Sequence, residues 1–77
     1  MKFPTLQRAI VSAIAQARKA ADLSQRQLSV KLGEPPNWIQ RVESLERRVD
    51  VAEFIRIARA LGIEPSALFA RILRNAP

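Results

Sequence analysis

The twenty residues Gln25–Ser44, QRQLSVKLGEPPNWIQRVES, constrain this chain more than any other stretch. They read as two short helices joined by a tight turn at Gly33. Apolar residues fall at Leu28, Leu32, Ile39 and Val42, and the small Ser29 faces the turn. Two helices laid out this way cross at a steep angle. One face of the second is then left free, in a geometry suited to a DNA major groove.

The chain as a whole divides into about five helices. Pro4 and Thr5 open the first, with Thr5 as N-cap, and Leu6, Ile10, Ala13, Ile14, Ala17 and Ala21 recur at helical spacing. This helix is expected to end near Ala21 or Asp22. Ser24 starts the second, with Gln27 three residues on as a capping box. It runs to about Leu32. Pro36 suits a first helical position, so the third is expected over Pro36–Ser44.

Leu45–Val49 reads as a loop carrying Arg47 and Arg48. Asp50 caps a fourth helix with Glu53 at its third position, and Val51, Phe54, Ile55, Ala58 and Leu61 form the expected buried stripe. Gly62 ends it. Glu64 and Pro65 open a fifth helix bearing Ala67, Leu68, Phe69, Ile72 and Leu73, and the tail Asn75-Ala76-Pro77 is expected to fray. The reading is all-α, one domain over residues 1–77, with the paired-helix motif at residues 25–44.

Composition narrows the function. The 77 residues carry a formal charge of +6, which suits a polyanionic partner. There is no cysteine and no histidine. Disulfides, Cys/His zinc sites and His-assisted Ser or Cys nucleophiles are therefore excluded. With Gly33 and Gly62 as the only glycines, no phosphate-cradling loop is visible. The reading is not an enzyme, with no cofactor. No apolar run is long enough to span a bilayer, and the N-terminus lacks a signal-peptide core, so the expected location is cytoplasmic.

Arg18, Leu23-Ser24-Gln25, Leu28, Lys31-Leu32-Gly33, Val42-Glu43, Glu46-Arg47-Arg48-Val49-Asp50 and Ala58-Arg59-Ala60-Leu61-Gly62 form one further pattern. From Arg18 to Phe69 their order and spacing resemble the phage-repressor-like helix-turn-helix family, the Cro/CI or xenobiotic-response-element type. The resemblance covers about two thirds of the chain. It implies a lambda-repressor-like bundle of five helices. It also implies a homodimer binding double-stranded DNA at an operator to control transcription, in a bacterial or phage-encoded, nucleoid-associated setting.

The resemblance also implies roles. Asn37 and Arg41 share a face of the third helix and occupy the family's base-reading positions. Gln40 lies beside them, for a base or a phosphate. Pro36 stands where the family often has a polar base reader and offers only an apolar contact. Gln25 occupies a phosphate-contacting position at a helix N-terminus, which favours an anion. Trp38 either packs on the sugar-phosphate backbone or covers the core. Arg47 and Arg48 either lie along the phosphates or are solvated loop charges. Arg18 and Glu43 correspond to a structural ion pair. Two departures bear on the DNA face: Glu34 adds a negative charge in the turn, and Ser44-Leu45 replaces the usual glycine after Glu43.

Leu68, Phe69, Ile72 and Leu73 form an apolar stripe that, with Ile63, is expected to make the dimer interface, although part of it must cap the monomer core against the first helix. The alternative to an operator-binding regulator is an antitoxin-like or other protein-interaction module that keeps the fold. A membrane-surface role is disfavoured because the charges are dispersed.

Overall fold

Local capping chemistry sets where the helices start. Ser24 Oγ accepts the Gln27 N–H at 3.0 Å, and Gln27 Oε1 accepts the Ser24 N–H at 2.8 Å. Asp50 and Glu53 repeat this exchange at 2.7 and 3.0 Å. Each box satisfies N–H groups that a helix start leaves without a partner. In the computed structural model, which describes residues 5–77 (Thr5 by its backbone alone), five helices follow. They are α1 (Thr5–Ala20), α2 (Gln25–Lys31), α3 (Trp38–Glu43), α4 (Val51–Ala60) and α5 (Pro65–Asn75). The expected opening at Pro4 and the Thr5 side-chain cap lie outside the described residues.

The ends of α1 to α4 close in one common way. A cap residue is followed by one with left-handed φ: Asp22 at 57°, Gly33 at 73°, Leu45 at 68° and Gly62 at 71°. The next N–H then reaches back to a carbonyl of the last turn. Leu23 bonds Arg18 at 3.2 Å, Glu34 bonds Ser29 at 3.0 Å, and Glu46 and Ile63 bond Arg41 and Ala58 at 2.9 Å. These are Schellman closures. The glycine missing after Glu43 is replaced by Leu45 in the same backbone conformation, so α3 is not extended. A Cβ at Gly33 or Gly62 would meet nothing within 4 Å, so the backbone angle rather than crowding favours glycine there.

Helix α3 is shorter than expected at its start. Pro36 and Asn37 form a turn closed by the Trp38 N–H on the Pro35 carbonyl at 2.9 Å. Asn37, at φ −98° and ψ 10°, is the cap rather than the second helical residue. Pro36 disfavours helical backbone at Pro35, and helical geometry settles only beyond it.

Two apolar clusters share α1. In one, Ile14 meets Leu28, Leu32, Trp38, Ile39, Val42 and Ile57. In the other, Ala9, Ala13 and Ala17 meet Ala58, Leu68 and Ile72. The three alanines recur every four residues along one side of α1, and their small side chains let α5 pack close.

Several expected stripes shift. In α1, Leu6 is exposed and Ala9 is buried. In α4, Ile57 replaces Val51 in the core, and Val51, in the first turn, is 76% exposed. It borders a shallow apolar groove with Ile10, Phe54, Phe69 and Ile72 that no other described element covers. On α5 the stripe divides. Leu68 and Ile72 lie four apart and point into the core, whereas Phe69 and Leu73, about 100° round the helix, are 52% and 59% exposed. Leu68 and Ile72 are therefore core residues and not free to form a dimer surface. Ile63 is half-buried against the same cluster. The tail is partly held, since the helix reaches Asn75 and Ala76 packs on the second cluster.

Candidate nucleic-acid interface

A buried hydroxyl sets the junction between α2 and α3. Ser29 is fully buried. Its Oγ donates to the Gln25 carbonyl at 2.8 Å and accepts the Ile39 N–H at 2.9 Å. A first-turn N–H of α3 that would otherwise be buried without a partner is thus satisfied from α2. With Ile39 and Val42 fully buried on the inner side of α3, the opposite side is fixed outward.

That outer side holds Pro36, Asn37, Gln40, Arg41 and Ser44, all exposed. Asn37 makes no side-chain cap bond. The Arg41 N–H bonds the Asn37 carbonyl at 3.1 Å, so the two remain one turn apart although the regular helix begins at Trp38. Ser44 Oγ donates to Glu46 Oε2 at 2.6 Å.

Arg18 and Glu43 join α1 to α3. Arg18 Nε donates to Glu43 Oε2 at 2.7 Å and Nη2 to Oε1 at 3.0 Å, with each side chain 9% exposed. Arg18 Nη1 also donates to the Leu23 carbonyl at 2.9 Å, across the α1–α2 turn. Gln25 Nε2 completes the set with a 2.9 Å bond to Glu43 Oε1. The Gln25 amide thus gives one of its two N–H donors to Glu43, and the side chain is half-buried at the start of α2.

Trp38 and Arg47 depart from the outward-facing roles considered for them. Trp38 is 4% exposed and belongs to the first core cluster, so its ring has no face to lay on a sugar-phosphate backbone. The Arg47 guanidinium sits 4.7 Å from the centre of that ring. Its Nη1 and Nη2 donate to Glu53 Oε1 at 3.0 Å and Oε2 at 2.7 Å. Nη1 also bonds the Arg48 carbonyl at 2.9 Å. The Arg47 hydrogen bonds hold the Glu53 carboxyl below its ordinary pKa, outweighing the upward push of burial. The same bonds raise the Arg47 pKa. Arg47 is thus anchored within the protein, with 32% of its side chain still exposed. Arg48 is exposed, and its side chain has no ion-pair partner among the described residues.

The acid in the turn is also balanced. Arg56, on α4, meets Glu34 at 3.2 Å and donates a close bond to the Leu32 carbonyl at the end of α2. Glu34 therefore does not present an unopposed charge beside α3. Arg56 and the Glu53 pairing were not foreseen from sequence. Arg56 stands 22 residues from Glu34, and Glu53 carried only the local signal of a cap.

Among the described residues no carboxylate group is arranged to hold a metal ion, and no helix is long and apolar enough to cross a membrane. The helix-turn-helix family model HTH_3 matches residues 14–68. An XRE-family-like protein from Pseudomonas syringae pv. tomato has a similar structure, with a TM-score of 0.83 and 33% identity over 94% of this chain and 88% of that one. A wild-type restriction-modification controller protein gives a TM-score of 0.85 at 17% identity, covering 97% and 94% of the two chains. The clp gene regulator ClgR from Corynebacterium glutamicum gives 0.84 at 17%, covering 99% and 97%. The last two likenesses concern the fold alone. No curated protein matches significantly. The family match spans both halves of the Ser29-locked helix pair, and this chain belongs to the helix-turn-helix family of the XRE, or Cro/CI, type, whose members are DNA-binding transcription regulators.

Proposed function

We propose that this chain is a sequence-specific regulator that binds palindromic double-stranded DNA as a homodimer, the whole chain acting as one domain. The carrying observation is the outer side of α3, where exposed Asn37, Gln40 and Arg41 stand on a helix whose inner side is buried. Arg suits guanine O6/N7 and Asn suits adenine N6/N7, each pair supplying about 1–3 kcal/mol of discrimination. Pro36 adds at most an apolar contact. Arg48 is the phosphate contact no internal bond restrains. Gln25 and Arg47 already bond Glu43 and Glu53, so each is less free than Arg48 to follow a phosphate, although both keep spare N–H donors.

Phe69 and Leu73, with Val51 and the adjoining groove, support self-association through the α4 and α5 side. Two copies would then read half-sites about 34–36 Å apart. The test is selection of bound fragments from genomic DNA, followed by titration of the best site. An enriched two-fold symmetric sequence is the expected result. Arg41→Ala should lose preference between matched and altered sites, and Arg48→Ala should weaken both alike. No enriched sequence, or affinity insensitive to salt, would refute the reading. Leu73→Asp should yield a monomer by light scattering, and an unchanged mass would exclude this dimer surface.

A further inference from the structure

Arg47 is bound from two directions by groups on different helices. On one side lies the ring of Trp38, the first residue of α3, 4.7 Å from the guanidinium. On the other lies Glu53 in the first turn of α4, held bidentately at 2.7 and 3.0 Å. Glu53 is itself fixed, because its Oε1 also accepts the Asp50 N–H at 3.0 Å. The third tie, to the Arg48 carbonyl at 2.9 Å, takes in the loop between the two helices. By packing, α3 lies mainly against α1 and α2 and α4 mainly against α5, with Ile57 of α4 reaching the cluster that holds Trp38. The guanidinium thus links the start of the recognition helix to the start of α4. Arginine suits this place because its planar fork can stack on a ring and grip a carboxylate together, which lysine cannot do.

We infer that Arg47 is a positioning residue for sequence reading, acting through Trp38 to set the orientation of α3, and not a phosphate contact. This rests on the DNA-reading function proposed above. A base-reading helix misplaced by a small rotation loses its best-aligned hydrogen bonds first, so the loss falls on discrimination rather than on general affinity. Glu53 has the same role at one remove. Its negative charge is tolerated near the DNA side because the charge is spent on holding Arg47.

The experiment uses the full chain and the site that the wild-type protein selects. Arg47→Ala, Arg47→Lys and Glu53→Gln are compared with wild type on that site and on a copy with two base pairs altered. Titrations span a range of salt, at a temperature where circular dichroism shows each variant folded. Gln retains the capping geometry while removing the charge. The preference for the matched site should fall about tenfold in all three variants, comparable to misreading one base pair. Lys should not restore it. The slope of log K against log salt should stay at the wild-type value in Arg47→Ala. Emission from Trp38, the only tryptophan, should shift in the free protein in all three.

A phosphate contact makes opposite predictions. Lys would rescue, the salt slope would fall by about 0.9 in Arg47→Ala, and Glu53→Gln would bind all DNA more tightly. Any of these overturns the inference while leaving DNA reading intact, as would an unchanged preference in folded variants. A wild-type protein that selects no sequence overturns the function itself, and this inference with it.

Discussion

Removing the Glu43 charge tests how α3 is held to α1. Glu43→Gln leaves the Arg18 guanidinium almost buried with its counter-charge gone. The acid receives bonds from Arg18 at 2.7 and 3.0 Å and from Gln25 at 2.9 Å. A neutral amide presents one acceptor, and its NH2 group faces donors. Breaking one side of a buried pair costs about 3–5 kcal/mol, because the remaining charge is uncompensated. A chain of 77 residues has a total stability of roughly 4–12 kcal/mol. The single change therefore removes about a quarter or more of it. With about 4–8 °C lost per kcal/mol in a domain of this size, the midpoint should fall by at least about 12 °C. Arg18→Met combined with Glu43→Leu removes both charges and fills similar space, so much of the loss should return. Thermal and urea melts of wild type, of Glu43→Gln, Glu43→Leu and Arg18→Met, and of Arg18→Met combined with each Glu43 change give the interaction energy for each pairing. A cost below about 1 kcal/mol for Glu43→Gln, with additive changes, would place the pair with exposed ion pairs and refute the reasoning.

Three further outcomes follow from the same geometry. Ser29→Ala should cost about 1–3 kcal/mol, because the Ile39 N–H loses its buried acceptor; an unchanged urea midpoint would show that another group takes up the bond. Asp22 occupies a left-handed backbone position at φ 57°, so Asp22→Gly should exceed Asp22→Val in stability by about 1–2 kcal/mol, and equal stability would contradict the closure described for α1. Arg47 depresses the Glu53 pKa, so the pairing contributes stability above the unfolded-state value of about 4.3. That contribution is lost as pH falls through the lower folded value. The stability gap between wild type and Glu53→Gln should accordingly stay constant near neutrality and close in acid. A gap independent of pH down to full protonation would exclude the charge as its source.

Most of the helical framework was legible because its signals are local. Ser24 with Gln27, and Asp50 with Glu53, are caps visible three residues apart. The helix pair was legible because Leu28, Ile39 and Val42 could satisfy one core only by facing each other. One boundary differed for a local reason, since Pro36 moved the start of α3, and Leu45 took a backbone angle that sequence offers mainly to glycine. The side-chain partners were harder to read. Arg47, Arg48 and Arg56 look equivalent as surface cations, yet Arg47 and Arg56 find carboxylates on other segments and Arg48 does not. Trp38 supported either reading until the packing of α3 on Ile14 and Ile57 placed it within the core. Apolar spacing also could not divide α5, because Leu68 and Phe69 are adjacent in the chain and differ only in which neighbour lies opposite.

The alanine side of α1 and its Ile14 side serve different clusters, one toward α5 and one toward α2 and α3. Neither half can open without exposing a wall of the other. Unfolding should therefore be a single cooperative event, and the amides in the middle of α1 should exchange with solvent only through it. Damage at the α5 end would be felt at α3 as lost protection, carried through α1.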